Sequence, residues 1–299
     1  MRVKAFFKTP EFYDTHAHLP LFLGTCTTDD RRFILFGRQA HDILRQELER
    51  ILEDQPLPPL IPQFEYIDIE THRIPDREAY IATTKVLARH NQFYKEQQRR
   101  IHYEQLLASA RALRQAKSHR FVAVDVESWE RDHTRVLELG WSVYDSINER
   151  YIDEHRAVLE YSHLKNGTYV PNRRDNFLFG TTKWTTLQEA TRDLQLDLDR
   201  GFPEQPLVLL GHAIKEDLKY LASVGVHVPG AAVIYDTGDL YLNPDGSKQK
   251  PALSKLLAEL KIQAFCLHNA GNDAHYTMEA FLKLTDAQES VNAMEKGND

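Results

Sequence analysis

The sequence predicts an α/β domain in the C-terminal half of the chain, preceded by a mainly helical N-terminal extension. Three observations carry this reading. From Phe121 onward, short apolar runs alternate with segments of helical periodicity, the pattern of strands packed against helices. Residues 76–117 contain no glycine and place Ile81, Leu87, Tyr94, Ile101, Leu106 and Leu113 so that one helical face can pack. Residues 34–53 repeat Ile43, Leu44, Leu48, Ile51 and Leu52 at three- and four-residue spacings, again a helical signature.

Taken in order, residues 1–35 carry little periodicity. They include His16 and His18, an H-x-H pair of the kind that opens the barrel of TatD-like metal hydrolases. That reading needs seven further strand–helix units with ligands at the strand ends, and the next hundred residues do not supply them. A surface turn is expected instead. After the helix over 34–53, residues 54–62 contain four prolines and read as a stiff extended linker. Pro75 then precedes Asp76, a suitable start for the long helix. The organisation expected is a helical accessory region at 1–118, an α/β domain at 119–285 and a polar tail at 286–299.

In the C-terminal half, strands are expected at 121–126, 136–144 and 151–160, the last two joined by a turn at 145–148. Residues 186–198 read as a helix, 207–210 as a strand, 214–223 as a helix and 233–236 as a strand. Helices at 253–260 and 274–284 complete the series.

Composition is that of an ordinary globular protein, with 42% hydrophobic and 27% charged residues, so a sizeable core is feasible. No apolar run approaches the ~18–20 residues that a membrane span requires. The first residues lack the apolar stretch of a secretory leader, and Glu11 interrupts them. With only Cys26 and Cys266 present, no disulfide framework is expected, which suits a reducing compartment. An intracellular location follows, cytoplasmic or nuclear, with mitochondria also open. The net charge of −7 hides a local asymmetry: residues 77–120 hold ten basic and three acidic side chains. That segment, with Arg99 and Arg100 at its centre, is either a solvated face or a contact for nucleic acid. It also offers a surface for a homodimer or a protein partner.

The chemistry starts at Asp125 and Glu127, which follow an apolar strand. Residues two apart on a strand point to the same face, so these carboxylates would form a repelling pair unless a cation joins them. Asp217 lies in the first turn of a helix that follows a buried strand and a Gly-His turn at His212. His268 precedes Asp273 by five residues at another helix start. Four acids and a histidine at the mouth of one sheet suit phosphodiester cleavage. Two cations about 3.5–4 Å apart can bind attacking water, phosphate and leaving oxygen together. Mg²⁺ and Mn²⁺ favour such oxygen ligands. A base near the water contributes perhaps 10²–10⁴-fold, and imidazole titrates in the right range.

The order D-x-E, then G-H-x-x-x-x-D, then H-x-A-x-x-D-A resembles the DEDDh 3′→5′ exonucleases of the ribonuclease H-like superfamily. The resemblance spans about residues 121–284 and implies a mixed sheet flanked by helices. It implies that Asp125, Glu127 and Asp273 bind one divalent cation, that Asp125 and Asp217 serve a second, and that His268 is the general base. It further implies release of nucleoside 5′-monophosphates from single-stranded RNA or DNA 3′ ends. Ser128 and Trp129 stand where relatives meet the terminal nucleotide, and His212, in a turn like the family's Gly-His turn, is a further substrate-binding candidate. Ala213 replaces a common Asn, which puts a local hydrogen bond in doubt, and Asp236 is read as structural. Residues 165–171 and 177–180 resemble a fungal branch of the family, one of whose yeast members is named for supporting an mRNA-export helicase. RNA is favoured over DNA on that ground.

Two alternatives stand beside the nuclease. One is a nucleic-acid-binding or adaptor protein that keeps the fold without activity; retention of all five residues speaks against it. The other is the hydrolase built on His16 and His18, which requires those histidines for activity.

Overall fold

The computed structural model describes residues 21–51, 64–200, 205–243 and 249–286. They form two compact units that part inside one long helix, between Ile101 and His102.

The first unit contains β1 (Leu21–Cys26), β2 (Arg32–Phe36), α1 (Arg38–Ile51), β3 (Tyr66–His72) and the start of α2 (Arg77–Ala116). The strands form an antiparallel sheet in the order β2-β1-β3. Leu21, Ala40, Leu44 and Ile74 form its buried core. The beginning of α2 is tied to the sheet by polar contacts as well as apolar ones. Arg32 N–H donates to Asn91 Oδ1 and the Asn91 amide donates back to Arg32 O, both at 2.8 Å. Asp76 caps α2 by accepting Ala79 N–H at 2.8 Å, which satisfies one of the helix's orphan amides.

Both helices expected here are present, but the three-stranded sheet was not foreseen. Residues 34–36, expected to open the first helix, belong instead to β2. Ile34, Leu35 and Phe36 pair with β1, and the helix begins only after Gly37. The proline-rich linker at 54–62, the pair His16 and His18, and the tail from 287 lie outside the described residues.

The second unit adds β4 (Arg120–Trp129), β5 (Asp132–Asp145), β6 (Arg150–Val158), β7 (Lys183–Thr185), α3 (Leu187–Asp199), β8 (Leu207–Gly211) and α4 (Lys215–Ser223). It ends with β9 (Val233–Asp236), α5 (Leu253–Glu259) and α6 (Ala270–Leu284). Six strands form a mixed sheet in the order β7-β6-β5-β4-β8-β9. The β4–β5–β6 meander is antiparallel, while β7, β8 and β9 add in parallel. This is the ribonuclease H-like arrangement that the motifs imply.

Alternation along β4 builds two cores. Val122, Val124 and Val126 pack against Leu194 and Leu198 of α3 and Leu221 of α4. Phe121 and Ala123 face the other way, onto Met278 and Phe281 of α6 and Leu107 and Ala110 of α2. Asp125 and Glu127 share the parity of that second face. The turn after β5 forms as expected, with Asp145 accepting the Ile147 N–H at 2.9 Å. A capping box between Thr186 and Glu189 starts α3. β7 was not foreseen, and α6 begins four residues earlier than the expected 274, because Asn269 caps it by accepting Asn272 N–H. No helix among the described residues is long and apolar enough to cross a membrane.

Candidate active site

The strand, the two helices and the turn bring the acids together. Asp125 and Glu127 leave β4 on the face covered by α6. Asp217, in the first turn of α4, reaches back to the strand and accepts the Val126 N–H on its Oδ1 at 3.1 Å. Its carboxyl is thereby fixed beside the amide between the two acids. Asp273 enters from the first turn of α6, and its Oδ2 accepts the His268 N–H at 3.1 Å. That bond closes the turn ahead of the helix, where His268 itself adopts a left-handed conformation with φ of +68°. Such a backbone state is unfavourable for a side-chain-bearing residue and is characteristic of functional turns. Glu127, His268 and Asp273 each present a ligand atom within 4.8 Å of the others. His268 is exposed, Glu127 is half-buried, and Asp217 and Asp273 are buried.

Gly140 makes this approach possible. It lies opposite Asp125 on β5, and a Cβ there would overlap the Ala270 carbonyl and the Gly271 amide. Only a bare backbone lets the start of α6, and with it Asp273, settle onto the sheet.

The electrostatics show what the cluster lacks. Burial, with the charges of Asp217, Asp273 and Glu127 added, pushes the Asp125 carboxyl well above the usual carboxylate range. Burial likewise raises Glu127 to about 8, Glu138 and Asp273 adding to the effect. Asp217 and Asp273 rise to about 7, mainly through burial and against the backbone amides that each accepts. Asp125 Oδ2 and Asp273 Oδ1 are buried with no hydrogen-bond partner. Buried carboxylate oxygens without donors or counter-charge are costly. A divalent cation supplies what these oxygens need, and an all-oxygen set with one imidazole nearby suits Mg²⁺ or Mn²⁺. The residues present therefore fit a metal.

With this geometry in place the comparisons can be read. Residues 120–284, just over half of the chain, match the DEDDh model described as "DNA polymerase III subunit epsilon-like, C-terminal domain". The chain belongs to the DEDDh family. Among relatives of this DEDDh protein, an uncharacterised nucleolar protein of Schizosaccharomyces pombe is 32% identical over 174 residues, covering 56% of this chain and 69% of its own. An uncharacterised protein of Saccharomyces cerevisiae is 31% identical, covering 55% of this chain and 40% of its own. "Good for full DBP5 activity protein 2" of the same yeast is 27% identical over 60% of this chain, and 37% of its own length is spanned. Among solved structures, the RNase domain of the yeast Pop2 protein matches with a TM-score of 0.36 and 14% identity, covering 61% of this chain and 82% of that one.

The other expected site residues of the DEDDh domain divide. Ser128 follows the acid pair, its hydroxyl 3.0 Å from His133 Nδ1 and 3.1 Å from the Tyr220 hydroxyl. Trp129 is half-buried, with the Arg135 guanidinium 5.8 Å from its ring. His212, expected to bind substrate, is committed elsewhere. Its Nε2 donates to Pro251 O and its Nδ1 meets Thr237 Oγ1, both at 2.9 Å, so neither ring nitrogen is left for a substrate. Burial holds its pKa below the ordinary value, in keeping with a neutral structural ring. Asp236 accepts Ala213 N–H at 3.1 Å and Gly238 N–H at 2.9 Å and pairs with Lys250, the structural part read for it. Ala213 thus keeps the turn through its backbone. Arg99 and Arg100 lie on α2 within the first unit.

One acid was missed. Glu138, directly opposite Glu127 on β5, is 3% exposed. Its Oε2 lies 2.9 Å from His155 Nε2 and accepts the Ala270 N–H at 3.3 Å, while its Oε1 faces Arg174 at 3.5 Å. Asn269 donates to the Arg173 and Arg174 carbonyls and so ties the same helix start to the loop after β6. Glu138 therefore anchors the end of α6 that presents Asp273. The signal for it was visible: a lone acid inside the apolar run Val136, Leu137, Leu139.

Proposed function

We propose that this protein is a metal-dependent 3′→5′ exonuclease that releases nucleoside 5′-monophosphates from single-stranded nucleic acid, with RNA favoured over DNA. One observation supports the reading most: Asp125 Oδ2 and Asp273 Oδ1 are buried with no hydrogen-bond partner, Glu127, His268 and Asp273 present ligand atoms within 4.8 Å of one another, and Asp217 is bonded to the amide between Asp125 and Glu127. Asp125, Glu127 and Asp273 would hold one divalent cation, and Asp125 with Asp217 a second. When bound, such cations neutralise the acids and the scissile phosphate and stabilise charge on the leaving oxygen.

The chain's own residues do the rest. Asp217 keeps its place through the Val126 amide, and Asp273 through the His268 amide. His268, exposed at the rim, takes the proton of the attacking water on its imidazole. The left-handed turn at His268 and the cap at Asn269 set where that imidazole stands. Ser128 and Trp129 lie one and two residues beyond Glu127, and we assign them to the terminal nucleotide.

The choice of RNA is supported by the resemblance of two loops to the fungal branch and by the relative named for DBP5 activity. The S. pombe relative is called nucleolar, which supports a nuclear setting. The basic face of α2 around Arg99 and Arg100 is proposed as a second contact for phosphates, and the same helix as a place for a protein partner.

The test compares oligonucleotides with a free and a blocked 3′ end in Mg²⁺, Mn²⁺ and EDTA. Degradation is expected only with a free 3′ end and a cation. Cleavage that persists on the blocked end, or in EDTA, would defeat the proposal.

A further inference from the structure

The segment after β6 is attached to the residues just beyond Glu127 by a set of bonds that no catalytic step uses. The Glu130 carboxylate accepts backbone N–H groups from Thr168 at 3.0 Å, Tyr169 at 2.9 Å and Gly167 at 3.3 Å. In return Glu130 N–H donates to Asn166 Oδ1, and the Asn166 amide donates to Ser128 O, both at 2.9 Å. Residues 166–169 are therefore clasped to residues 128–130, directly downstream of the metal-binding pair. A charge-assisted clasp of three amides is strong for an exposed loop. What it presents is Tyr169, whose surface is 80% exposed. An aromatic ring on a firmly held backbone, turned largely to solvent, adds little to the core.

Lys165, one residue before the clasp, also lines a groove of about 290 Å³ with Leu159, Arg174 and Trp184. Leu159 is 46% exposed and Trp184 39%. The Arg174 guanidinium lies 5.5 Å from the Trp184 ring and is fixed by donating to Leu164 O at 2.7 Å. Register relates this groove to the carboxylates. Glu127, Glu138, Ala157 and Trp184 are successive cross-strand partners on β4, β5, β6 and β7, so they share one face. At about 4.8 Å per strand, Trp184 stands roughly 14 Å from Glu127 along that row.

Aromatic faces beside cations, continuous with a phosphodiester site, are the recognition chemistry of single-stranded nucleic acid. Asp175 also borders the groove, and with Arg174 buried against Glu138 the exposed cation there is Lys165. We propose that the clasped loop and this groove form a subsite for the strand upstream of the scissile bond. Tyr169 and Trp184 stack on its bases, and Lys165 meets a phosphate. This subsite rests on the nuclease reading of the carboxylate cluster for its direction, but its binding can be measured without any cleavage.

The experiment is fluorescence anisotropy of a fluorescein-labelled single-stranded RNA oligonucleotide in EDTA. The full chain is compared with Tyr169→Leu, Tyr169→Phe, Trp184→Leu and Trp184→Phe. Each Leu variant is expected to raise Kd by roughly 5- to 100-fold, the loss of one stacked base, and each Phe variant to recover most of it. Circular dichroism melts identify any variant that fails to fold, and the second position then decides. An unchanged Kd in the folded Leu variants overturns the subsite and leaves the groove to a protein partner. Wild-type protein that binds with the expected aromatic dependence yet cleaves nothing would defeat the nuclease reading alone.

Discussion

Glu138 shows how much of the site depends on a side chain that touches no substrate. Buried with His155 and Arg174, it holds the first amide of α6. Removing one partner of a buried charge cluster leaves the others unpaired, which costs about 3–5 kcal/mol. Glu138→Ala is therefore expected to lose stability of that order in urea denaturation, and a loss under about 1 kcal/mol would show that the cluster is not coupled. His268 is a different kind of residue, exposed, with its backbone N–H donating to Asp273. His268→Ala should leave the melting temperature in place and lower turnover by about 10²–10⁴-fold. The two variants separate support from chemistry. Asp125, Glu127, Asp217, His268 and Asp273 were legible in the sequence because each follows an apolar run or opens a helix, and such positions fall at a sheet's mouth. Glu138 stood out only as a lone acid in an apolar run, because its role appears when β5 is laid beside β4.

At the scale of elements, the site depends on how closely α6 meets the sheet. Gly140 and Gly271 form that contact, and a Cβ at Gly140 must displace the start of the helix. Gly140→Ala should leave a folded protein, with overpacking costing about 1–3 kcal/mol. Its turnover should nevertheless fall by about 10²-fold, since an ångström of displacement is enough. Wild-type turnover in a folded Gly140→Ala protein would contradict that account. The basic face of α2 carries a separate expectation. Arg99→Glu with Arg100→Glu should weaken nucleic-acid binding and flatten its dependence on salt, and an unchanged slope would leave α2 with a structural part only. Strands β4, β5, β6, β8 and β9 could be read from the sequence because their apolar runs face a core on both sides or one. The N-terminal sheet could not. In β3 the alternating Ile67 and Ile69 are 50% and 57% exposed, so the hydrophobic pattern points away from the packing. The start of α6 was hidden by Gly271 and the two asparagines, residues that read as a turn until Asn269 is seen as the cap.

The whole molecule should respond to pH through its acids. In the folded, metal-free protein Glu127 titrates at about 8 and Asp217 and Asp273 at about 7, against about 4 for the unfolded chain. The folded state then binds more protons between these values, so stability falls as pH rises through that window. Burial lowers the pKa of His275, but the carboxylates of Asp153 and Glu279, 3.0 and 3.7 Å from its ring nitrogens, outweigh burial and raise it to about 9, which acts in the same direction above its ordinary value. In EDTA the melting temperature should therefore drop between pH 5 and pH 8, and Mg²⁺ should shrink the drop by binding the ionised acids. A melting temperature that rises over that interval in EDTA would contradict the buried acid cluster.

The central claim is that four carboxylates of one sheet mouth, with His268, cleave nucleic acid from its 3′ end. Asp217→Asn tests it most directly, because an amide oxygen can still accept the Val126 N–H while the charge is gone. The measurement is digestion of 5′-labelled single-stranded RNA in Mg²⁺ by wild type and by this variant, with products resolved by length. Wild type should shorten the strand one nucleotide at a time from the 3′ end, and the variant, equally folded, should leave it intact. Equal shortening by both proteins would contradict the account.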